Sequence, residues 1–417
     1  MRRGERNRPE PKAIGVLDIG TAKVCCLIAA PDAGGQLELM GLGHQRSMGV
    51  KSGTIVDADE AERAVRAAVA QAERMAGVVL ERISLTVSCG RIRSSSFVAR
   101  ALVEGPVVRD DDLARVLSGG EAFVERGGRL LVQLTRSEWR LDAARGIRDP
   151  RGLAGRELSV ELHAVTADEA PVRNLLSIAE RCHLAVDGMI AAPFASALAV
   201  ATAEERAIGA LVVDVGAGVT SLAAFVGGRL VHTDAIPVGG QHVTFDVARV
   251  LVTSAAEAER IKTLYGTLVK AASDSAEVFS YPVAGEEEPS LFQVSKARLR
   301  EVIEPRIANL LGLIHERLGE AGLASLVSGR VILTGGGSQL LGLDQAWTSR
   351  FGGVVRIGRP RPIGRMPASM CSPAFSTVIG LALSEATPEP GLCTARGAMS
   401  GSDGYLGRMR QWISESF

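Results

Sequence analysis

Residues 13–30 read AIGVLDIGTAKVCCLIAA, two short apolar runs on either side of a turn at Gly20. Residues 209–225 read GALVVDVGAGVTSLAAF and repeat the pattern: an apolar run ending in Asp, then small residues, Thr and a second apolar run. Apolar and β-branched residues around a glycine turn predict a pair of strands in each stretch. Asp18 and Asp214 stand 196 positions apart, so the repeat predicts a duplicated architecture with two similar lobes.

Outside the two hairpins, segments of helical period alternate with strand-like runs, which is typical of an α/β fold. Residues 90–160 break this alternation with short strands and a helix near Asp110, and predict an inserted small α+β lobe. Residues 272–290 have the composition of loops and turns, and residues 294–318 a long amphipathic helical pattern. The predicted division is a disordered tail at 1–12, a first lobe at 13–89 and 161–205, the inserted lobe at 90–160, a second lobe at 206–386, a flexible linker at 387–404 and a terminal helix at 405–417.

Composition excludes several classes of function. Lys plus Arg (47) equals Asp plus Glu (47), so no global basic field exists to hold nucleic acid. The six cysteines form no C-x-x-C pair and the six histidines show no ligand spacing, which argues against a zinc site or a disulfide framework and favours a reducing cytoplasm. The most apolar stretch, 189–203, is interrupted by Pro193 and is shorter than the roughly 20 residues of a membrane span, so we expect no transmembrane segment.

Three glycine loops at predicted strand ends are candidate phosphate sites. Small residues let backbone N–H groups converge on an anion, and an Asp at a strand end can hold Mg²⁺ through water. Each loop alone is more often a plain turn, but their combination is a much stronger indication of phosphate binding. Lys23 either neutralises phosphate charge or is a solvated lysine on a strand. The loops are Asp18–Thr21, Asp214–Gly218 and Gly335–Ser338.

The C-terminal sequence GYLGRMRQWISESF predicts an amphipathic helix after the linker. At 100° per residue its apolar side chains fall within an arc of about 140°, with an arginine on either flank. Such a helix suits the lipid interface, where aromatic side chains enter the acyl boundary and arginines meet anionic headgroups. The alternative is a terminal helix that docks on the core of the protein itself. The predicted membrane-binding residues are Tyr405, Leu406, Arg408, Met409, Arg410, Trp412, Ile413 and Phe417.

A family resemblance follows from these motifs in their order: D-x-G-T-x-K, D-x-G-x-G-x-T and a T-G-G-G strand end. Together they resemble the actin, Hsp70 and sugar-kinase ATPase fold, in which two ribonuclease-H-type lobes surround a nucleotide cleft. Within that fold, five stretches resemble the FtsA family of bacterial cell-division proteins, over roughly residues 13–385. They read SMGVKSGTIVDADEA, SCGRIRSSSF, GIRDPRGLAGREL, VGGQHVTFDVARVL and AEAERIKTLYG.

The resemblance implies that the cleft binds ATP with Mg²⁺, and it assigns residues to the parts of the nucleotide. Asp18 and Asp214 would hold Mg²⁺ through water, and Glu259 and Lys262 would face the ribose. The remaining residues that it assigns to the nucleotide, on the phosphate and adenosine sides, are Gly20, Thr21, Lys23, Gly216, Gly218, Thr220, Gly239, Gly240, Gly335, Gly336, Gly337 and Ser338.

Two departures from the family pattern bear on chemistry. The second hairpin has Ala217, Val219 and Ser221 where the family usually has a glycine, a threonine and an aspartate, so nucleotide affinity or pose is expected to differ. Related ATPases position the attacking water with Gln or Glu near the second crossover, whereas residues 190–193 are Ile-Ala-Ala-Pro. We therefore expect a nucleotide-controlled switch with weak or no ATPase activity and assign no catalytic residue.

The resemblance also implies partners and a location. The 294–318 region resembles the one that receives the C-terminal tail of the tubulin-like protein FtsZ, with Lys296, Arg300 and Arg306 as candidate contacts, although each is equally well a solvated helix position. The implied protein polymerises, meets later division proteins at the inserted lobe, and anchors FtsZ filaments to the anionic cytoplasmic face of the inner membrane at the septum. The alternatives are a PilM-like pilus-assembly adaptor and a sugar-kinase-type phosphotransferase.

Overall fold

The computed structural model describes residues 13–124, 129–284, 291–387 and 392–394. The predicted tail at 1–12, most of the linker and the predicted helix at 405–417 lie outside the described residues. Within the described ranges, strands and helices alternate around two large sheets, so the predicted α/β class with duplicated lobes is confirmed. Among the described helices, none combines the length and apolar character that a bilayer crossing requires.

The first lobe is built on a five-stranded sheet that is covered by helices. Asp57 caps the first helix by accepting a hydrogen bond from Glu60 N, and Gly77 ends it in the left-handed region at φ 69°. In their order across the sheet, the strands are β11 (Ala185–Ala191), β6 (Arg82–Val87), β1 (Ile14–Ile19), β2 (Lys23–Pro31) and β3 (Leu37–Arg46). The elements before the insertion are β1 (Ile14–Ile19), β2 (Lys23–Pro31), β3 (Leu37–Arg46), β4 (Val50–Lys51), β5 (Thr54–Ile55), α1 (Ala58–Ala76) and β6 (Arg82–Val87).

The insertion forms an antiparallel sheet with one helix against it. A separate apolar core, centred on the fully buried Trp139, lies between this sheet and the helix. Its elements are β7 (Arg93–Leu102), α2 (Asp110–Val124), β8 (Arg129–Leu141), β9 (Ala144–Ile147) and β10 (Glu157–Asp168). The chain then returns to the first lobe through α3 (Glu169–Arg181), β11 (Ala185–Ala191), α4 (Ala192–Val200) and α5 (Ala203–Ile208).

The second lobe repeats the hairpin of the first lobe and joins the insertion edge to edge. Arg93 of β7 pairs with Asp234, so one ten-stranded sheet runs through both units. The elements are β12 (Ala210–Val215), β13 (Thr220–Val226), β14 (Arg229–Ile236), α6 (Gly240–Leu251), α7 (Ala255–Tyr265), β15 (Val278–Pro282), β16 (Leu291–Ser295), α8 (Lys296–Glu320), β17 (Arg330–Thr334), α9 (Leu343–Phe351), β18 (Val354–Ile357) and α10 (Ser376–Ala386).

Part of the 272–290 region differs from the predicted loop. Residues 278–282 pair with 291–295 as an antiparallel hairpin, because Phe279, Tyr281 and Val294 enter the core of the second lobe. The long helix therefore begins at Lys296, two residues later than its apolar pattern indicated. Ser295 fixes this start, since its side chain accepts a hydrogen bond from Arg298 N.

The predicted flexible linker at 387–404 needs a correction. Residues Leu392–Thr394 form a strand, β19, that pairs antiparallel with β8 at Gln133–Thr135. The physical reason is that an outer strand presents unpaired backbone N–H and C=O groups, and these accept any extended segment within reach. Composition alone, rich in Pro, Gly and Ser, does not reveal a strand of three residues.

The two lobes meet where α4 crosses α10, and this crossing leaves no room for a side chain at its centre. A Cβ added to Gly380 of α10 would lie 1.7 Å from the carbonyl oxygen of Ala195 on α4. Every residue of α4 is buried, and so are seven of the eleven residues of α10. The backbones therefore touch directly, and the crossing fixes the distance between the lobes.

Replacing Gly380 by Ala is expected to force α4 and α10 apart and to cost about 2–3 kcal/mol of unfolding free energy. The thermal midpoint should fall by about 4–10 °C in a melt followed by circular dichroism. Gly319→Ala is the matched control, because a Cβ there meets nothing within 4 Å and alanine favours a helix. Equal midpoints for the two variants would contradict the close crossing.

Candidate functional site

The first hairpin brings a buried carboxylate to the floor of the cleft between the lobes. Asp18 is the penultimate residue of β1, only 8% exposed, and accepts a hydrogen bond of 2.5 Å from Thr86 Oγ1. Thr86 lies on β6, which runs parallel to β1 on its other side. The turn itself is tight, since Gly20 N donates to Lys23 O at 2.9 Å. The neighbouring strand therefore orients Asp18.

The second hairpin places Asp214 in the corresponding position. Asp214 is the penultimate residue of β12, is 9% exposed, and accepts hydrogen bonds from Ser196 Oγ of α4 and from Thr377 Oγ1 of α10, the latter at 3.1 Å. The two hydroxyl oxygens are 2.9 Å apart. The carboxylate of the second lobe is thus held by the two helices whose crossing joins the lobes.

Burial raises the pKa of both carboxyls above the ordinary value for Asp. For Asp18, the hydrogen bond from Thr86 and the charge of Lys23 oppose this increase, while the charge of Asp214 adds to it. For Asp214, the hydrogen bonds from Ser196 and Thr377 and the charge of Lys23 oppose it. The two acids therefore interact across the cleft, and bringing both into their charged form requires cationic compensation. A hydrated divalent cation fits this requirement.

The third loop needs glycine because it passes directly over the second hairpin. A Cβ on Gly335, whose φ is 81°, would lie 2.1 Å from Asp214 Oδ1, and one on Gly337 would lie 2.6 Å from Val215 Cγ1. Ser338 is buried and its hydroxyl donates to Gly335 O at 2.8 Å, so it closes the turn. Gly336 follows in a short 3-10 turn of residues 336–339. The loop thus places bare backbone beside the carboxylate.

The tips of the two hairpins approach each other across the cleft. A Cβ on Gly218 would lie 2.6 Å from Thr21 Oγ1 and 2.9 Å from Ser52 Cα. Thr21 Oγ1 also accepts a hydrogen bond of 2.9 Å from Gly53 N, in the turn between β4 and β5. The predicted residues Gly20, Thr21, Gly216 and Gly218 therefore belong to one small region of facing backbone.

Lys23 spans the cleft and contacts the segment that leads into α10. Its ammonium group donates to Ala374 O and lies 3.9 Å from the centroid of the Phe375 ring, a cation–π geometry. His44 of β3 packs edge-on against the same ring, at 5.4 Å between centroids. Lys23 is therefore positioned by residues far away in sequence, and its charge faces both buried carboxylates.

Gly239 and Gly240 join the glycine loop of the second hairpin to α6. Gly240 N donates to Gly216 O at 2.9 Å, Gln241 N donates to Ala217 O at 2.8 Å, and a Cβ on Gly239 would lie 2.5 Å from Gly216 O. The first amides of the helix thus hold the loop. Thr220 is fully buried and its hydroxyl donates to Val238 O at 2.7 Å, which ties β13 to the same connection.

Glu259 and Lys262 form a polar cluster with Thr244 beside this connection. Lys262 Nζ donates to Glu259 Oε2 at 2.7 Å, to Thr244 Oγ1 at 2.9 Å and to Gly240 O at 3.1 Å. A Cβ on Gly240 would be 3.7 Å from Lys262 Nζ and 3.6 Å from Gly337 Cα. The residues assigned to the ribose and adenosine sides therefore lie next to each other.

Two of the three residues that depart from the family pattern in the second hairpin, Ala217 and Val219, contribute main-chain hydrogen bonds to the loop. Gly216 N donates to Val219 O at 2.9 Å, and Ala217 O accepts from α6, so the loop keeps its backbone connections. Ser221 is buried within β13. Main-chain hydrogen bonds therefore maintain the loop geometry without the hydroxyl and carboxylate that the family usually has at 219 and 221.

Sequence reasoning missed the groups that come from distant elements: Ser196, Thr377, Thr86, Phe375 and Gln133. Gln133 of β8 is 1% exposed, and its Oε1 accepts a hydrogen bond of 3.3 Å from Ala191 N, directly before α4. The signal in the sequence was the polar Gln133 inside the apolar run LLVQL (130–134), which indicates a side chain with a buried hydrogen-bond partner. Residues 190–193 have no polar side chains, and the glutamine that meets their backbone belongs to the insertion.

The three predicted partner contacts on α8 do not form one free basic patch. Arg300 is ion-paired with Asp274 and donates to Val269 O at 3.2 Å, and its side chain is only 13% exposed. Lys296 pairs with Glu277, and Arg306 pairs with Asp246 of α6 at 2.6 Å. Arg300 therefore anchors the 269–274 segment, and Lys296 and Arg306 are the more exposed cations.

The buried carboxylates lead to a prediction on stability. Because burial raises their pKa, the folded state binds protons more tightly than the unfolded chain, whose Asp pKa is about 3.9. The contribution of these two carboxyls to the stability of the nucleotide-free protein therefore falls as pH rises above about 3.9 and is lowest above the raised pKa values. Asp18→Asn or Asp214→Asn should raise the thermal midpoint at pH 7.5 by about 2 °C or more.

The measurement is thermal unfolding without nucleotide or metal at pH 7.5 and at pH 5.5, and the gain of each Asn variant should shrink at the lower pH. Asp187→Asn serves as the control, because Asp187 is a surface residue that pairs with Arg82 and its removal should give no gain. A loss of stability in both Asp18→Asn and Asp214→Asn at pH 7.5 would contradict the burial argument.

Known proteins resemble this chain in both sequence and fold. The family model described as cell division protein FtsA matches residues 211–380, and the model of an SHS2 domain inserted in FtsA matches residues 89–166, which overlaps the predicted insertion. Cell division protein FtsA of Agrobacterium fabrum is 38% identical over 97% of this chain and 95% of its own length. The Pseudomonas aeruginosa protein of that name is 30% identical over 97% and 98%.

Solved structures show the same actin-like fold at low identity. The PilM–PilN type IV pilus biogenesis complex gives a TM-score of 0.64 at 17% identity, over 90% of this chain and 99% of that chain. MreB5 of Spiroplasma citri, bound to ADP, gives 0.56 at 15% identity, over 90% and 97%. The likeness to PilM concerns the fold alone, whereas the sequence relatives extend over nearly the full length. The chain therefore belongs to the FtsA family of cell division proteins.

Proposed function

We propose that the cleft binds ATP together with Mg²⁺. The observation that carries this proposal is the pair of buried carboxylates, Asp18 and Asp214, which face each other under loops of bare glycine backbone. Mg²⁺ would neutralise charge on these acids and on the phosphates. Gly20, Gly216 and the loop at 335–338 would offer backbone N–H groups to the phosphates. The cluster of Glu259 and Lys262 would line the ribose side.

Within this proposal, Lys23 is the residue that senses the phosphates. Its ammonium now contacts Ala374 O and the Phe375 ring, next to the start of α10. A phosphate in the cleft competes for the same charge, so binding would change the contact between the first lobe and the segment before α10. The protein would act as a switch with weak or no hydrolysis, since residues 190–193 provide no group to position a water.

At the cell level, we propose that the protein polymerises at the cytoplasmic face of the inner membrane, with the 405–417 segment as its lipid-binding helix. The support is the apolar arc that contains Trp412 and Phe417, which follows from sequence. One such helix would bind weakly, and a polymer would add avidity. The α8 region would receive the C-terminal tail of FtsZ, with Lys296 and Arg306 as the accessible cations.

Later division proteins are proposed to bind where the insertion meets the first lobe. An open, shallow depression of about 690 Å³ lies there, lined by residues of the insertion and of α3. Arg129 and Arg91 of the insertion side both pair with Asp168, and Arg173 pairs with Glu169 in the first turn of α3. This mixed-charge surface suits a polar peptide segment, which would exchange these ion pairs for its own.

Nucleotide binding is tested by thermal unfolding and calorimetry with ATP. At ATP concentrations about 100-fold above Kd, wild type should gain about 2.7 kcal/mol of stability with MgCl₂. The gain should be smaller with EDTA, and Asp18→Asn should lose the difference between the two conditions, because it removes a group that holds the hydrated metal. Phosphate release should stay near background. No shift with Mg-ATP, or an unchanged Mg²⁺ dependence in the variant, would refute the site.

The membrane tether is tested by vesicle flotation with FtsZ from the same source, with and without ATP. The full chain should carry FtsZ upward with vesicles that contain anionic lipid, while a truncation before Tyr405 and Trp412→Glu leave it behind. Gln411→Glu is the matched control, because it adds the same charge to the polar side of the helix and should retain flotation. If the full chain stays at the bottom, the adaptor alternative gains support.

A further inference from the structure

The outer edge of β8 is covered by two different segments, one at the middle of the strand and one at its C-terminal end. Near Leu141 it pairs with β9, which follows in a local hairpin. At Gln133–Thr135 it pairs with β19, which comes from the far end of the chain after α10. The register places Leu392 opposite Thr135, Cys393 opposite Leu134 and Thr394 opposite Gln133. Residues 392–394 therefore form a strand of the sheet of the insertion, whereas α10, which precedes them in the chain, lies at the junction of the lobes.

This pairing changes the length of chain that leads to residues 405–417. From Thr394 docked on β8, ten residues (395–404) remain, with a maximal extension of about 35 Å. From Ala386, the end of α10, the same segment would have eighteen residues (387–404) and a maximal extension of about 60 Å. The docked strand therefore moves the origin of the tether to the insertion and nearly halves its reach.

The docked segment is short enough to come off. It has three paired residues, and the chain around it, TPEPG before and ARGAMSG after, has the Pro and Gly content of a coil. The net gain from one backbone hydrogen bond is similar in size to the conformational entropy lost by fixing one residue. Docked and undocked forms are therefore close in free energy, unlike the β8–β10 pairing, which extends over more than three times as many residues.

We propose that residues 392–394 are a releasable strap that docks within the same molecule on β8 and sets the reach of the C-terminal segment. The role of that segment at a lipid surface rests on the proposed function, but the docking itself does not. Thr394, the last residue of the strap, pairs with Gln133. The side chain of Gln133 accepts a hydrogen bond from Ala191 N, directly before α4. Docking thus adds backbone support to the strand that carries this contact.

Disulfide trapping in the full chain tests the register. Cys393 is a natural cysteine opposite Leu134, so Leu134→Cys creates one candidate pair, and Leu392→Cys with Thr135→Cys in a Cys393→Ser background creates the other. Hydrogen-bonded and non-hydrogen-bonded pairs alternate in an antiparallel ladder, so one of the two is the closer kind. Mild oxidation should give an intramolecular crosslink in at least one variant.

Arg140→Cys is the matched control for the trapping. It offers Cys393 a thiol on the same strand but six positions from the paired residue, about 20 Å away, so it should not crosslink. Crosslinking as dimers only would show strand exchange between copies and overturn the intramolecular strap. Absence of any crosslink in both register variants would also overturn it.

Amide hydrogen exchange tests the release. In wild type, the amides of residues 133–135 that face β19 should exchange faster than those of 139–141, which pair with β9, but slower than in a variant with Gly-Ser-Gly at 392–394. Unchanged exchange in that variant would refute the docking, and protection as strong as in the β8–β10 ladder would refute release. Both experiments use protein without vesicles, so they succeed or fail independently of flotation.

Discussion

Two buried carboxylates lie on opposite sides of one cleft, and their negative charge must be compensated by the groups around them. Asp18 and Asp214 each lie within a buried strand end, and each is held by hydroxyl groups from other elements. An ionised acid in such a place is costly unless cations and donors surround it. Lys23 and the Thr86, Ser196 and Thr377 hydroxyls supply part of this compensation. The remaining negative charge of the two acids favours a bound cation at this site.

Close backbone approach is the second consequence of the same arrangement. Glycine stands at 218, 239, 335 and 337 because a Cβ at these positions would clash with a facing loop or hairpin and, at 335, with the Asp214 carboxylate. The same constraint applies at the crossing of α4 and α10, where Gly380 lets α10 touch the backbone of α4. Because Ser196 and Thr377 are on these two helices, the geometry of the crossing and the orientation of Asp214 are set together.

The sequence predicted those parts of the fold and site that are local in the chain. The two hairpins, their strand-end acids, the glycine loop after β17 and the interruption by a different lobe all follow from short patterns. The roles of Gln133, Thr377 and Phe375 do not follow from short patterns. Each depends on a contact with a residue 58, 163 or 352 positions away, and no periodicity of the sequence encodes such a contact. The strand at 392–394 was missed for a related reason, since an edge strand of three residues is specified by its partner.

The insertion is also physically connected to the cleft. Gln133 meets the backbone just before α4, α4 carries Ser196, and Ser196 binds Asp214. A rigid helix of nine residues thus has the insertion at one end and the buried acid near its middle. A displacement of α4 and the residue before it as one rigid body would change both the Gln133–Ala191 and the Ser196–Asp214 hydrogen bonds, so the insertion and the buried acid share one structural support.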